Sequence, residues 1–132
     1  MLHRALFLCL ILTLPVSGFA QDAVRFVAFG DMPYCTPSRP EACAEEEARV
    51  ARLMRDINAA TPAFSVFVGD TKGGSEICTD ERVLRAFSWM SLARHPLIYT
   101  PGDNEWTDCW QTRAGRFDPL ERLALLRARF FP

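Results

Sequence analysis

Residues 24–34 read VRFVAFGDMPY, and the fold follows from that stretch. An apolar run climbs to Phe29, breaks at Gly30 and delivers Asp31. The same design returns at residues 64–70, FSVFVGD, and at residues 96–103, PLIYTPGD. Each reads as a short buried strand, a glycine that frees the backbone and a carboxylate. The segments between them have helical periodicity, so the three strands are expected to form a mainly parallel sheet. Parallel strands end on one common edge, which is where open α/β sheets bind ligands. Asp31, Asp70 and Asp103 are therefore expected to converge there. Converging carboxylates repel one another unless a cation sits among them, and a hard or borderline metal is the usual solution.

The helices are legible from their stripes. The first is expected over residues 41–58, with Val50, Leu53, Met54 and Ile57 at i, i+3, i+4 and i+7. Glu45, Glu46 and Glu47 load its early turns, in keeping with the helix dipole, and Arg49, Arg52 and Arg55 complete a solvated face. Thr79 or Asp80 caps the second helix, whose apolar side is Val83, Leu84, Phe87 and Met90. The third opens at Asp118 and Pro119 and carries Leu120, Leu123, Leu126 and Phe130. Residues 71–79, with Gly73 and Gly74, read as a flexible loop from which Lys72 either reaches a phosphate oxygen or, the favoured reading, points to solvent.

At 132 residues, 49% hydrophobic and with a formal charge of −1, the chain is at most one domain and has no electrostatic signature for nucleic acid. Residues 1–20 combine a basic start (His3, Arg4), an apolar core and small residues at Gly18 and Ala20, the make-up of a secretory signal peptide. The apolar core is short for a membrane span, so no stable anchor is expected after cleavage. Residues 21–132 are then secreted or periplasmic. Cys9 lies in the signal, and Cys35, Cys43, Cys78 and Cys109 form an even set suited to disulfides. The favoured pairing is Cys35 with Cys43, closing a short loop, and Cys78 with Cys109, joining two site loops. A zinc-thiolate site is the rival, although no CxxC pair is present. From the apolar ending at Phe130 and Phe131, with few partners for the second sheet face, the chain is expected to be a truncated, N-terminal portion of a larger domain.

The third corner, TPGDNEWTDCW at residues 100–110, crowds Asp103, Asn104, Glu105 and Asp108 into six positions. With GDMPY, VGDTKGG and PGDNEW in that order, residues 24–106 resemble the calcineurin-like metallophosphoesterase superfamily. Its pattern is D-x-H, then G-D, then G-N-H followed by D or E, at successive strand ends. The resemblance implies the N-terminal βαβαβα portion of an αββα sandwich. It also implies a dinuclear site for divalent metal ions (Mn, Fe, Zn or Mg) and hydrolysis of phosphate mono- or diesters. By the same resemblance Asp31 is a ligand of the first metal and Asp70 bridges both. In the third motif Asp103 takes the ligand place if no residue is inserted, and Asn104 takes it if one is; otherwise Asn104 stands where the catalytic histidine would. Pro33 replaces the first-motif histidine, with Tyr34 beside it. The only histidine after the signal is His95, at the opposite edge of the sheet. Glu105 becomes the candidate acid, and the oxygen-rich half-site suits magnesium or manganese better than zinc. The alternative is a catalytically silent secreted α/β module that binds a partner through the Trp106 to Trp110 loop.

Overall fold

The structure, a computed structural model, describes residues 23–35 and 38–132. The signal peptide expected over residues 1–20 lies outside the described residues. The element order is β1 (Phe26–Phe29), α1 (Pro40–Ala60), β2 (Phe64–Phe67), α2 (Asp80–Met90), β3 (Leu97–Tyr99) and α3 (Pro119–Phe130). Two short 3-10 turns, Thr107–Trp110 and Thr112–Ala114, fill the stretch before α3. The fold is α/β, with one sheet in the order β1-β2-β3 and every pairing parallel.

Register explains the layers. Phe29 lies beside Phe67, and Phe67 beside Tyr99, on one face. Phe26 lies beside Phe64, and Val66 beside Ile98, on the other. Parallel crossovers are right-handed, so two successive crossovers in the same direction stack their helices on one face. That face holds the core. Val50, Met54 and Ile57 of α1, Val83, Ala86, Trp89 and Met90 of α2, and Leu126 of α3 close over Phe67 and Tyr99. Trp89 meets the edge of Phe67 at 5.0 Å between ring centroids. The opposite face stays open: Phe26, Val68 and Ile98 are each more than half exposed, and Phe26 stacks on Phe64 at 5.1 Å.

Several expected details shift. The strands are a residue or two shorter than their apolar runs, although ladder bonds such as Val68 N–H to Phe29 O at 2.9 Å continue past the ends. On α2 the buried side is Val83, Ala86, Trp89 and Met90, with Leu84 and Phe87 only half-buried. The large indole seats itself on Phe67 and turns the helix. On α3 Leu120 is exposed and Arg122 is buried instead. The Arg122 guanidinium lies over the Phe117 ring and donates to Cys78 O at 2.9 Å and Asp80 Oδ1 at 2.7 Å. Both expected caps form: Thr79 Oγ1 accepts from Arg82 N–H, and Asp118 Oδ1 from Leu120 N–H at 2.8 Å. Arg49, Arg52 and Arg55 face solvent as expected.

Candidate metal centre

The three Gly-Asp corners meet backbone to backbone. Asp31 N–H donates to Gly69 O at 3.0 Å, joining the first corner to the second. A Cβ on Gly69 would fall 2.2 Å from Gly102 N, and one on Gly102 would fall 2.1 Å from Asp70 Oδ1. Only glycine permits the second and third corners to touch in this way. Asp31 and Asp70 themselves adopt left-handed backbone, with φ of 58° and 60°. That conformation costs a non-glycine residue on the order of 1–3 kcal/mol, and such residues concentrate at binding and catalytic sites.

Their side chains share one hydroxyl. Tyr34 OH donates to Asp31 Oδ1 at 3.0 Å and to Asp70 Oδ2 at 3.1 Å. Asn104 Nδ2 donates to Asp70 Oδ2 at 2.9 Å and approaches Tyr34 OH at 3.4 Å, while Asn104 N–H reaches Asp70 Oδ1 at 3.3 Å. Asn104, rather than Asp103, therefore sits on the central aspartate. The Asp103 side chain is exposed, and it is the backbone O of Asp103 that holds the turn, accepting from Asp108 N–H at 2.9 Å. Burial pushes the Asp70 carboxyl above its usual range, and the charges of Asp103 and Asp31 push the same way; hydrogen bonds from Asn104 and Tyr34 oppose the rise. Burial, followed by the two carboxylates, holds the Tyr34 phenol protonated well beyond its ordinary range.

Two buried glutamates lock the corners together. Glu105 is fully buried, and its Oε1 accepts from Tyr99 OH at 2.8 Å, Gly102 N–H at 3.0 Å and Asp70 N–H at 3.1 Å. It fastens the second corner to the third from beneath. Its Oε2 is buried with no hydrogen-bond partner among the described residues, and burial raises its carboxyl above the usual range. The expected acid thus faces inward, away from the rim on which the other side chains meet. Glu76 does the same for the first corner: Oε1 accepts from Cys35 N–H at 2.8 Å and Gly73 N–H at 2.7 Å, and Oε2 pairs with Arg82 of α2. Sequence reasoning did not single out Glu76, since one glutamate in a glycine-rich loop has no periodicity to betray it.

Lys72 corrects an expectation. It is fully buried rather than solvated, and Nζ donates to Gly73 O at 3.1 Å and Glu76 O at 3.0 Å. Burial lowers its pKa, against the charges of Glu76, Glu105 and Asp108. With Thr71, Glu76 and Cys78 also buried, residues 71–79 form a partly packed connector, from which Ser75, Ile77 and Thr79 stay exposed.

The cysteines pair as favoured, Cys35 with Cys43 and Cys78 with Cys109. The first bond follows Tyr34 directly; the second ties the connector to the third corner. Disulfide sulfurs carry no thiolate charge, so the zinc-thiolate reading falls. The same reason removes the cluster of Cys35, Cys43 and Glu47 as a metal site, although its ligand atoms lie within 4.8 Å of one another. His95 Nε2 lies 2.9 Å from Ser65 Oγ, away from the strand ends that carry the corners. Trp106 is half-buried against the core, and Trp110 is 65% exposed.

Two carboxylates, Asp31 and Asp70, supply the acceptor oxygens of the rim; Asn104 turns its amide Nδ2 to Asp70 and its Oδ1 toward Gly74, and the Tyr34 hydroxyl donates to both carboxylates. Lys72, the cation of this loop, is committed to backbone carbonyls, leaving the carboxylates without a counter-charge from it. That set fits a hard divalent cation such as magnesium or manganese. No protein-family model, curated protein or solved structure matches the chain.

Proposed function

We propose that the chain carries the N-terminal half-site of an exported, metal-dependent phosphoesterase, as the resemblance of its three corners to the calcineurin-like metallophosphoesterases implies. One observation carries the reading: Asp31, Asp70 and Asn104, from three separate strand ends, meet on one hydroxyl, with only neutral donors among the described residues there. Asp70, on the central strand's corner, would be the shared ligand beside Asp31, with Asn104 held against it through its amide Nδ2. A bound divalent cation supplies charge to the phosphoryl oxygens and a water of lowered pKa. The protein's own part is to hold the ligands fixed. Glu105 and Glu76 clamp the corner backbones, so the rim needs little ordering when a ligand arrives. In this reading Glu105 is a positioning residue rather than the acid. Two disulfides agree with an oxidising compartment, and no described helix is long and apolar enough to cross a membrane.

The test is Mn2+ titration of the full chain, with turnover of an aryl phosphate as the second readout. Asp70→Asn keeps the side-chain shape and suits the left-handed backbone, but removes the charge and one of the two acceptor oxygens. It should abolish metal-dependent turnover and weaken Mn2+ binding at least roughly tenfold. Wild-type Mn2+ affinity retained in the variant would remove Asp70 from the ligand set. The exposed Trp110 favours a second reading, a silent module that docks a partner through residues 106–110. A wild-type chain that binds no Mn2+ would leave that reading standing.

A further inference from the structure

The Tyr34 hydroxyl is placed where neither a core tyrosine nor a plain loop tyrosine would be. It spans Asp31 Oδ1 at 3.0 Å and Asp70 Oδ2 at 3.1 Å, with Asn104 Nδ2 at 3.4 Å, while the residue stays 40% exposed. One phenol proton serves two carboxylates that no cationic group among the described residues satisfies. A neutral donor holds them together without balancing their charge. When a cation takes the lone pairs of those oxygens, the hydroxyl loses both acceptors.

The backbone that carries the ring is fixed. Cys35 N–H, the next backbone group, is fixed on Glu76 Oε1 at 2.8 Å, and Cys35 is disulfide-bonded to Cys43 on α1. Asp31 N–H is fixed on Gly69 O. The ring lies beside Gly73, where an added Cβ would sit 3.8 Å from Tyr34 Cγ. A released hydroxyl stays on a backbone anchored beside the rim, in a partly exposed residue, where an anionic substrate would approach. Pro33 and Tyr34 stand in the first corner and Asn104 and Glu105 in the third, and neither corner has a histidine to donate to that anion.

We propose that Tyr34 is the phosphate-oxygen donor of this site: its hydroxyl holds Asp31 and Asp70 together before a cation binds, and is then handed to the substrate's phosphoryl oxygen. This rests on the phosphoesterase reading. It needs no bond change beyond exchange of hydrogen-bond acceptors.

The test compares full-length wild type with Tyr34→Phe, which keeps the ring and removes the hydroxyl. Calorimetric titration with Mn2+ alone should show tighter binding in the variant, because the carboxylates no longer have to release the phenol. Titration of the Mn2+-loaded protein with inorganic phosphate should show binding weakened roughly tenfold, about what one hydrogen bond to a charged oxygen contributes. In the wild type, saturating Mg2+ should also perturb the ultraviolet band of tyrosine, which keeps the proposal testable if the variant folds poorly. Unchanged or weaker Mn2+ affinity, undiminished phosphate affinity, or a flat Mg2+ difference spectrum each overturns the role of Tyr34. So does a wild type that takes Mn2+ but no phosphate. A wild type that takes no Mn2+ overturns the phosphoesterase reading as well, so the two failures are distinct.

Discussion

Removing the Glu105 side chain should be among the costliest single changes in this chain. Its Oε1 serves three donors inside a fully buried space: Tyr99 OH, Gly102 N–H and Asp70 N–H, at 2.8, 3.0 and 3.1 Å. Glu105→Ala leaves all three without this acceptor. A buried donor stripped of its partner costs about 1–3 kcal/mol, so the sum is about 3–6 kcal/mol after some relief from no longer burying a carboxyl. A domain of this size holds only about 5–15 kcal/mol in total. Glu105→Gln keeps an oxygen in place as a neutral acceptor and should cost about 1–2 kcal/mol. Urea unfolding of the oxidised protein, followed by tryptophan fluorescence, measures both. The pH profile adds an independent check. Burial raises the native pKa of Glu105 above the unfolded value of about 4.3, so the fold favours the protonated form. Its contribution is fullest below that pH and is lost as pH rises through the native pKa; Glu105→Gln should flatten that descent. An Ala variant that loses less than about 1 kcal/mol would refute the three-donor accounting.

Other outcomes follow from the same geometry. Gly102→Ala introduces a methyl 2.1 Å from Asp70 Oδ1 and 2.6 Å from Asp70 N, so Mn2+ uptake should be lost while circular dichroism keeps its helical signal; undiminished uptake would mean the corners do not touch. Peptide mapping should recover Cys78 joined to Cys109 across 31 residues, and replacing both by serine should cost roughly 3–4 kcal/mol on loop-closure grounds; a Cys35–Cys78 peptide would contradict the corner arrangement. Val68→Lys with Ile98→Lys, both on the open sheet face, should shift unfolding by no more than about 0.5 kcal/mol each yet reduce self-association and binding of a hydrophobic dye; equal dye binding would show that this face is already covered.

Fold class was readable because it depends on repetition. Three strand-Gly-Asp corners separated by helical stripes leave little room for anything but a parallel sheet, and Thr79 and Asp118 mark their helix starts by chemistry that acts within three residues. The disulfide pairing was readable from placement: Cys35 and Cys43 close the short connection from β1 into α1, and Cys78 and Cys109 join the segments that follow the neighbouring strands β2 and β3. What failed to show was everything decided at long range. Lys72 looks solvated in a glycine-rich stretch, and its burial depends on carbonyls that only the folded connector turns inward. Glu76 acts on Cys35, 41 positions away in sequence, and no local pattern announces that bond. Arg122 displaced Leu120 from the buried side of α3 because Asp80, Cys78 O and the Phe117 ring together offer a guanidinium more than a leucine would gain. The choice between Asp103 and Asn104 was equally closed to the sequence, since it turns on which side chain the turn after Gly102 aims at Asp70.

The left-handed backbone at Asp31 and Asp70 limits how this rim can change over generations. Only glycine, asparagine and aspartate take up that conformation at modest cost. A lineage that gave up the carboxylates through asparagine would keep every contour of the rim while discarding its charge. One that drifted to alanine or serine would lose contour and charge together. A retired version of this site should therefore be recognisable by amides standing where the acids stood, a silent cast of the charged rim.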